Sequence, residues 1–185
     1  MDLDRIRERV CECTSCPLSE GRNNVVFGEG PDDARVMIIG EAPGRNEDLE
    51  GRPFVGAAGR LLDELLAHAG LSRDDVFIAN VLKCRPPSNR DPRPDEIERC
   101  ADFLRDQVRA VSPDVIVTLG NFATRFVLKS DMGITRLRGR VHKAGRFLVV
   151  PVFHPAAALY DPTKRDVLFE DFAMIGDVLS EQASE

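Results

Sequence analysis

Apolar positions in this chain follow two rhythms. Leu3, Ile6 and Val10 recur at helical spacing and predict a short helix over residues 2–10. Leu61, Leu62, Leu65 and Leu66 do the same over 59–69, where Gly70 supplies the stop. Elsewhere apolar residues run together in short blocks: Val36-Met37-Ile38-Ile39, Val76-Phe77-Ile78-Ala79, the block after Asp114, and the block after Arg146. Blocks of this length predict strands covered on both faces, here over 34–40, 75–81, 114–119 and 147–153. Pro94 and Asp95 open a helix over 94–111. A further helix follows the Gly120-Asn121 turn to residue 128, and a last one covers 165–179. Residues 41–56, rich in Gly and Pro, read as loop. Strands alternating with helices predict an α/β fold, a mainly parallel sheet with helices on both faces.

In such folds ligands bind beyond the carboxyl ends of the strands. Glu41 follows the first strand, Asn80 ends the second and His154 follows the fourth. Their shared placement says more than any one of them. The length of 185 residues fits one domain, 1–185, with an N-terminal helix and cysteine turn over 1–20 attached to it. At 43% hydrophobic and 30% charged the composition excludes a disordered chain. The charged start, Met1-Asp2-Leu3-Asp4-Arg5, and the lack of a membrane-length apolar run predict a cytoplasmic protein with no membrane association, expected as a monomer. A net charge of −6 argues against coating nucleic acid by bulk charge. One local basic stretch remains, with Arg136, Arg138, Arg140, His142, Lys143 and Arg146. It suits either a phosphate contact, with Arg138 at its centre, or the solvated face of a hairpin.

Cysteine spacing changes the picture most. Cys13 and Cys16 form C-x2-C, and Cys84 and Cys100 bracket a Pro-rich loop. In a chain expected inside the cell, paired cysteines point to a metal rather than disulfides. Four thiolates suit zinc and iron–sulfur clusters alike, and spacing alone does not separate them.

Each remaining motif has a plain reading and a functional one. Gly40-Glu41-Ala42-Pro43-Gly44 is a strand-ending turn, or a place where backbone N–H groups approach a ligand. Phe54, inside Gly51-Arg52-Pro53-Phe54-Val55-Gly56, anchors its loop or stacks on a nucleobase. Asn80 caps a turn or reads a base edge with its amide donor and acceptor. His154, in His154-Pro155-Ala156, is a structural histidine or a group that stabilises charge on a leaving group.

Taken together and in this order, these motifs, with Lys83-Cys84-Arg85-Pro86-Pro87, resemble the family 4 uracil-DNA glycosylases, the iron–sulfur branch of that superfamily. The resemblance runs to about residue 175. It implies a three-layer α/β/α sandwich around a four-stranded parallel sheet. It also implies a structural [4Fe-4S] cluster on Cys13, Cys16, Cys84 and Cys100, with Cys11 outside the quartet. The activity implied is removal of uracil from single- or double-stranded DNA, leaving an abasic site, with the base flipped into a pocket. Phe54 would stack on uracil, and Asn80 would bond its O4/N3 edge. Gly40, Glu41 and Ala42 would line the pocket, and Glu47 would exclude thymine's methyl group. His154 would stabilise the departing uracil anion through O2. Ala42 stands where family 1 enzymes place a water-orienting Asp, so Glu41 and Glu47 are the carboxylates left to serve. Leu159 would wedge into DNA, although Leu159-Tyr160-Asp161-Pro162 departs from the Leu-Arg-Asn-Pro-like run of many relatives. A non-catalytic nucleic-acid-binding module and a zinc-stapled α/β protein are the competing classes.

Overall fold

The computed structural model describes residues 2–182. The chain begins with α1 (Leu3–Cys11), capped by the Asp2 carboxylate, which accepts from the Arg5 N–H, and then forms the single turn α2 (Leu18–Gly21). It continues through β1 (Val36–Gly40), α3 (Arg45–Glu50), α4 (Ala57–His68), β2 (Val76–Asn80), α5 (Pro94–Val111), β3 (Val115–Leu119) and α6 (Gly120–Leu128). The last third holds α7 (Ile134–Leu137), β4 (His142–Ala144), β5 (Phe147–Val152), α8 (Pro155–Ala158) and α9 (Pro162–Gln182).

The sheet order is β2-β1-β3-β5-β4. Four strands are parallel, and β4 pairs antiparallel with β5 at the edge. Period-two alternation sends each central strand to two cores. Val36 and Ile38 join Val115, Val117, Val150 and Val152 beneath α4 and α9, where Leu62, Leu65 and Phe172 pack. Met37 and Ile39 face the other way, toward Ile6 of α1, Leu104 of α5 and Ala123 of α6. The result is the expected sandwich, with a fifth strand added. No helix among the described residues is long and apolar enough to cross a membrane.

Three differences from the sequence reading have local causes. The edge strand β4 is His142-Lys143-Ala144, too short and too polar to register as an apolar block. It turns back onto β5 through Gly145 (φ 61°), so the hairpin reading of the basic stretch describes its backbone. Inside the expected loop 41–56, α3 forms because its first turn is tied down by Glu47, and Gly51 (φ 72°) ends it. The last helix begins at Pro162, ahead of the expected residue 165. The Asp161 carboxylate accepts from the Lys164 N–H there, and proline suits a first helical turn.

Candidate active site

The parallel register sets Gly40 beside Asn80 at the ends of β1 and β2. Pairing continues one step further, with Val81 and Leu82 donating to the carbonyls of Gly40 and Glu41. A cavity of about 440 Å³ opens there. Glu41, Ala42, Glu47, Phe54, Asn80 and His154 all line it, with Pro86, Asn89 and Arg90 from the loop after β2 and Ala156 and Ala157 from α8. Thus six residues singled out from the sequence, drawn from four separate segments, meet at one place.

Gly40 is what lets them meet. A Cβ on it would stand 2.3 Å from Asn80 Oδ1 and 2.7 Å from Phe54 Cζ, so the amide and the ring approach over bare backbone. Phe54 takes a left-handed backbone (φ 54°), uncommon for an aromatic residue. Its ring is 6% exposed and stacks against the His154 imidazole, with centroids 5.7 Å apart and planes at 28°.

Asn80 is 2% exposed, and its Oδ1 is the one buried side-chain nitrogen or oxygen among the described residues with no hydrogen-bond partner. An orphaned acceptor costs on the order of 1–3 kcal/mol. Its neighbours are otherwise fully engaged. The Asn80 carbonyl accepts from Lys83 Nζ at 2.7 Å, Lys83 also donates to Gln107 Oε1 at 2.6 Å, and Gln107 Nε2 donates to the Phe27 carbonyl at 2.8 Å. Burial pulls the Lys83 ammonium down to about 8.

His154 caps α8, and its Nδ1 accepts the Ala156 N–H at 3.1 Å. Desolvation pushes its pKa down to about 4, while the Glu47 carboxylate pulls the other way. The ring is therefore neutral near pH 7, with its proton on Nε2.

The two candidate carboxylates differ. Glu47 Oε2 accepts the Gly44 N–H at 3.1 Å, and Oε1 accepts the N–H groups of Val55 and Gly56 at 3.0 and 3.2 Å. It ties the loop after β1 to the loop carrying Phe54. Glu41 is held above the usual carboxylate range, at about 7, by desolvation and then by the charge of Asp91.

Two supporting residues were given no role by the sequence, although Lys83 stands in one of its motifs. Arg73 Nη1 donates to the Pro53 carbonyl at 3.0 Å and Nη2 donates to that of Phe54, while the same guanidinium pairs with Glu29 and Asp63. It braces the strained Phe54 backbone from behind. Lys83 does the same for Asn80. For Arg73 the only signal in the sequence is a charge flanking an apolar strand.

The structure does not bring Arg138 to the cavity lining. Its guanidinium forms a two-pronged pair with Asp171, at 2.8 and 2.5 Å, and Asp171 is 3% exposed. Leu159 follows the cavity-lining turn of α8 and is half-exposed.

Cys13, Cys16, Cys84 and Cys100 line one second cavity, walled by Val10, Leu18, Leu82 and Phe103. Arg22 closes it, donating to the Cys13 carbonyl at 2.9 Å, the Cys11 carbonyl at 3.1 Å and Cys84 Sγ at 3.3 Å. Burial pushes the Cys84 thiol up and the Cys100 thiol to about 11. Cys11 is exposed and lies outside the lining. No Cys, His, Asp or Glu side chains among the described residues gather in threes or more as a single metal ion would need.

Comparison with known proteins agrees with this arrangement. Residues 27–174 match the model of the uracil DNA glycosylase superfamily. A type-4 uracil-DNA glycosylase of Archaeoglobus fulgidus is 47% identical over 184 residues, covering 95% of this chain and 92% of the relative. Those of Sulfurisphaera tokodaii and Saccharolobus solfataricus are 48% and 47% identical, covering 95% and 97% of this chain and 84% and 87% of their own lengths. Matching that family model over residues 27–174 and these relatives at nearly half identity over most of its length, the chain belongs to the uracil-DNA glycosylase superfamily, in its type-4 branch.

Proposed function

We propose that this protein hydrolyses the N-glycosidic bond of deoxyuridine in DNA, releasing uracil and leaving an abasic site. The observation that carries the reading is the unpartnered Asn80 Oδ1, buried in the same cavity as Phe54 and His154. Oδ1 accepts the N3–H of a flipped uracil, and the amide nitrogen donates to O4. Cytosine fails on both counts, because its N3 carries no proton and an amino group replaces O4. Phe54 stacks on the base, held in place by Arg73. The backbone of Gly40, Glu41 and Ala42 forms the floor.

As the C1′–N1 bond breaks, the electron pair moves onto uracil and the sugar becomes oxocarbenium-like. The neutral His154 donates Nε2–H toward O2, where negative charge develops. Glu41, whose carboxylate has no hydrogen bond among the described residues, orients the attacking water, faces the cationic sugar and takes the water's proton as the new C1′–O bond forms, while the departing uracil anion is reprotonated from solvent. Glu47 acts as a positioning residue, since its lone pairs serve three backbone N–H groups. It also narrows the cavity against a 5-methyl group. Leu159 fills the space that the flipped nucleotide vacates. Arg138 serves the fold through Asp171, and a phosphate contact from it would break that pair.

Cys13, Cys16, Cys84 and Cys100 would hold a [4Fe-4S] cluster. Four soft donors around one apolar-walled cavity fit such a group, with Arg22 directed at a sulfur. The cluster would supply cross-linking of the N-terminal segment to the loop after β2, with the base chemistry left to the strand ends.

The test is release of free uracil from an oligonucleotide with one deoxyuridine, leaving an alkali-labile site. Release at the level of a His154→Ala control would overturn the assignment. Tight binding without release would favour the non-catalytic binding module instead.

A further inference from the structure

We infer that Tyr160 is a DNA contact, stacking its ring on an unpaired base next to the flipped nucleotide. The inference rests on the uracil-excision reading for the direction from which DNA approaches. Tyr160 is 95% exposed, far above Leu159 at 36% and every other exposed large apolar side chain among the described residues. The residues on either side of it, by contrast, are tied into helices. On one side, Leu159 donates to the Ala156 carbonyl at 3.4 Å and ends α8, whose Pro155 and Ala158 are buried. On the other, the Asp161 carbonyl accepts the Arg165 N–H at 3.1 Å, and its carboxylate pairs with Lys164 at 3.1 Å.

The same turn bears His154 at its start and lines the cavity with Ala156 and Ala157. The turn that lines the cavity thus runs on, three residues past Ala157, to an aromatic ring in solvent without hydrogen bond, ion pair or ring contact among the described residues. A ring with two χ angles on a fixed backbone loses little entropy on binding. A nucleobase has the flat apolar face that matches it, whatever the sequence. Leu159 and Tyr160 together make a two-residue wedge, with the leucine filling the gap and the tyrosine capping the neighbouring base.

The chain offers its own reporter, because Tyr160 is its single tyrosine and it has no tryptophan. Intrinsic fluorescence therefore reads this side chain alone. The probe is a single-stranded oligonucleotide with one 2′-fluoro-2′-deoxyuridine, whose glycosidic bond resists cleavage, with binding followed in parallel by anisotropy of a labelled end. Stacking predicts quenched tyrosine emission at saturation. Tyr160→Ala should weaken the Kd roughly 10-fold with the melting temperature unchanged, whereas Tyr160→Phe should keep the Kd within about twofold of the parent. Unchanged emission at saturation, or a Tyr160→Ala Kd equal to the parent's, overturns the inference. Uracil release with unmoved emission would sink this contact and leave the excision reading standing. Quenching without uracil release would do the reverse.

Discussion

The two cavities lie on either side of one short stretch of chain, from Asn80 to Cys84, yet they are built on opposite plans. At the strand ends almost every polar group has a partner. Glu47, Arg73 and Lys83 hold the loops, and one acceptor, Asn80 Oδ1, is left over. In the cysteine cavity the scaffold is equally tight around Arg22, but the sulfurs themselves are poor anions as they stand, since burial raises Cys84 and Cys100. The first site is complete and waits for a neutral, hydrogen-bonding ligand. The second, on the proposed reading, would need a cationic metal cluster to stabilise thiolates in an apolar wall. A preorganised site and a completed-on-binding site respond differently to the same kind of damage, and that difference can be measured.

The largest expected effect is on the first. Asn80→Ala removes the orphaned acceptor and its donor together, so the fold gains while the substrate loses its partner. We expect kcat/KM for uracil release to fall by roughly 100-fold or more, with a melting temperature equal to or above the parent's. A lower melting temperature would mean that Asn80 serves stability after all.

Next in size is the cysteine site, where the effect should appear in stability. Cys84→Ser should abolish the broad visible absorption of an anaerobic preparation and lower the melting temperature by about 10 °C, the equivalent of a few kcal/mol for a chain of this size. Proteolysis should then begin between α1 and β1. A colourless but equally stable parent would break the comparison.

The smallest effect should distinguish the two carboxylates. In the proposed mechanism Glu41 acts as the carboxylate, and desolvation raises its pKa to about 7, so the parent rate should rise as pH increases through about 7. Glu41→Gln should lower the rate roughly 10- to 100-fold and flatten that rise. His154, at about 4, is neutral throughout this window and contributes no slope. A rise that survives in Glu41→Gln would assign the titration elsewhere.

Much of the fold was legible because burial is periodic. The apolar blocks at 36–39 and 76–79 are buried on both faces, and the four leucines of α4 point inward, as their spacing requires. The edge strand β4 was not legible, because three residues with a solvent-facing side carry almost no pattern. In the site, Asn80 and His154 stood out by following apolar strands. The roles of Arg73 and Lys83 did not, because Arg73 meets the carbonyls of Pro53 and Phe54 and the carboxylates of Glu29 and Asp63, and Lys83 meets Gln107, all contributed by other segments. Arg138 shows the converse: a basic run is visible at a glance, but its pairing with Asp171 joins residues 33 apart.

The sequence by itself determined the alternating architecture, the strand ends where a ligand would bind, and the two cysteine pairs. These follow from local regularities, namely apolar period, turn residues and ligand spacing, which need no knowledge of distant neighbours. Only the tertiary structure decided that Glu47 is consumed by three backbone N–H groups while Glu41 stays poised near neutrality, that His154 keeps its proton on Nε2, and that Asn80 Oδ1 is the one buried side-chain polar atom among the described residues without a partner. Those outcomes depend on which polar groups the fold brings within about 3 Å of one another. That proximity is set by packing between segments tens of residues apart, and no window along the chain contains it.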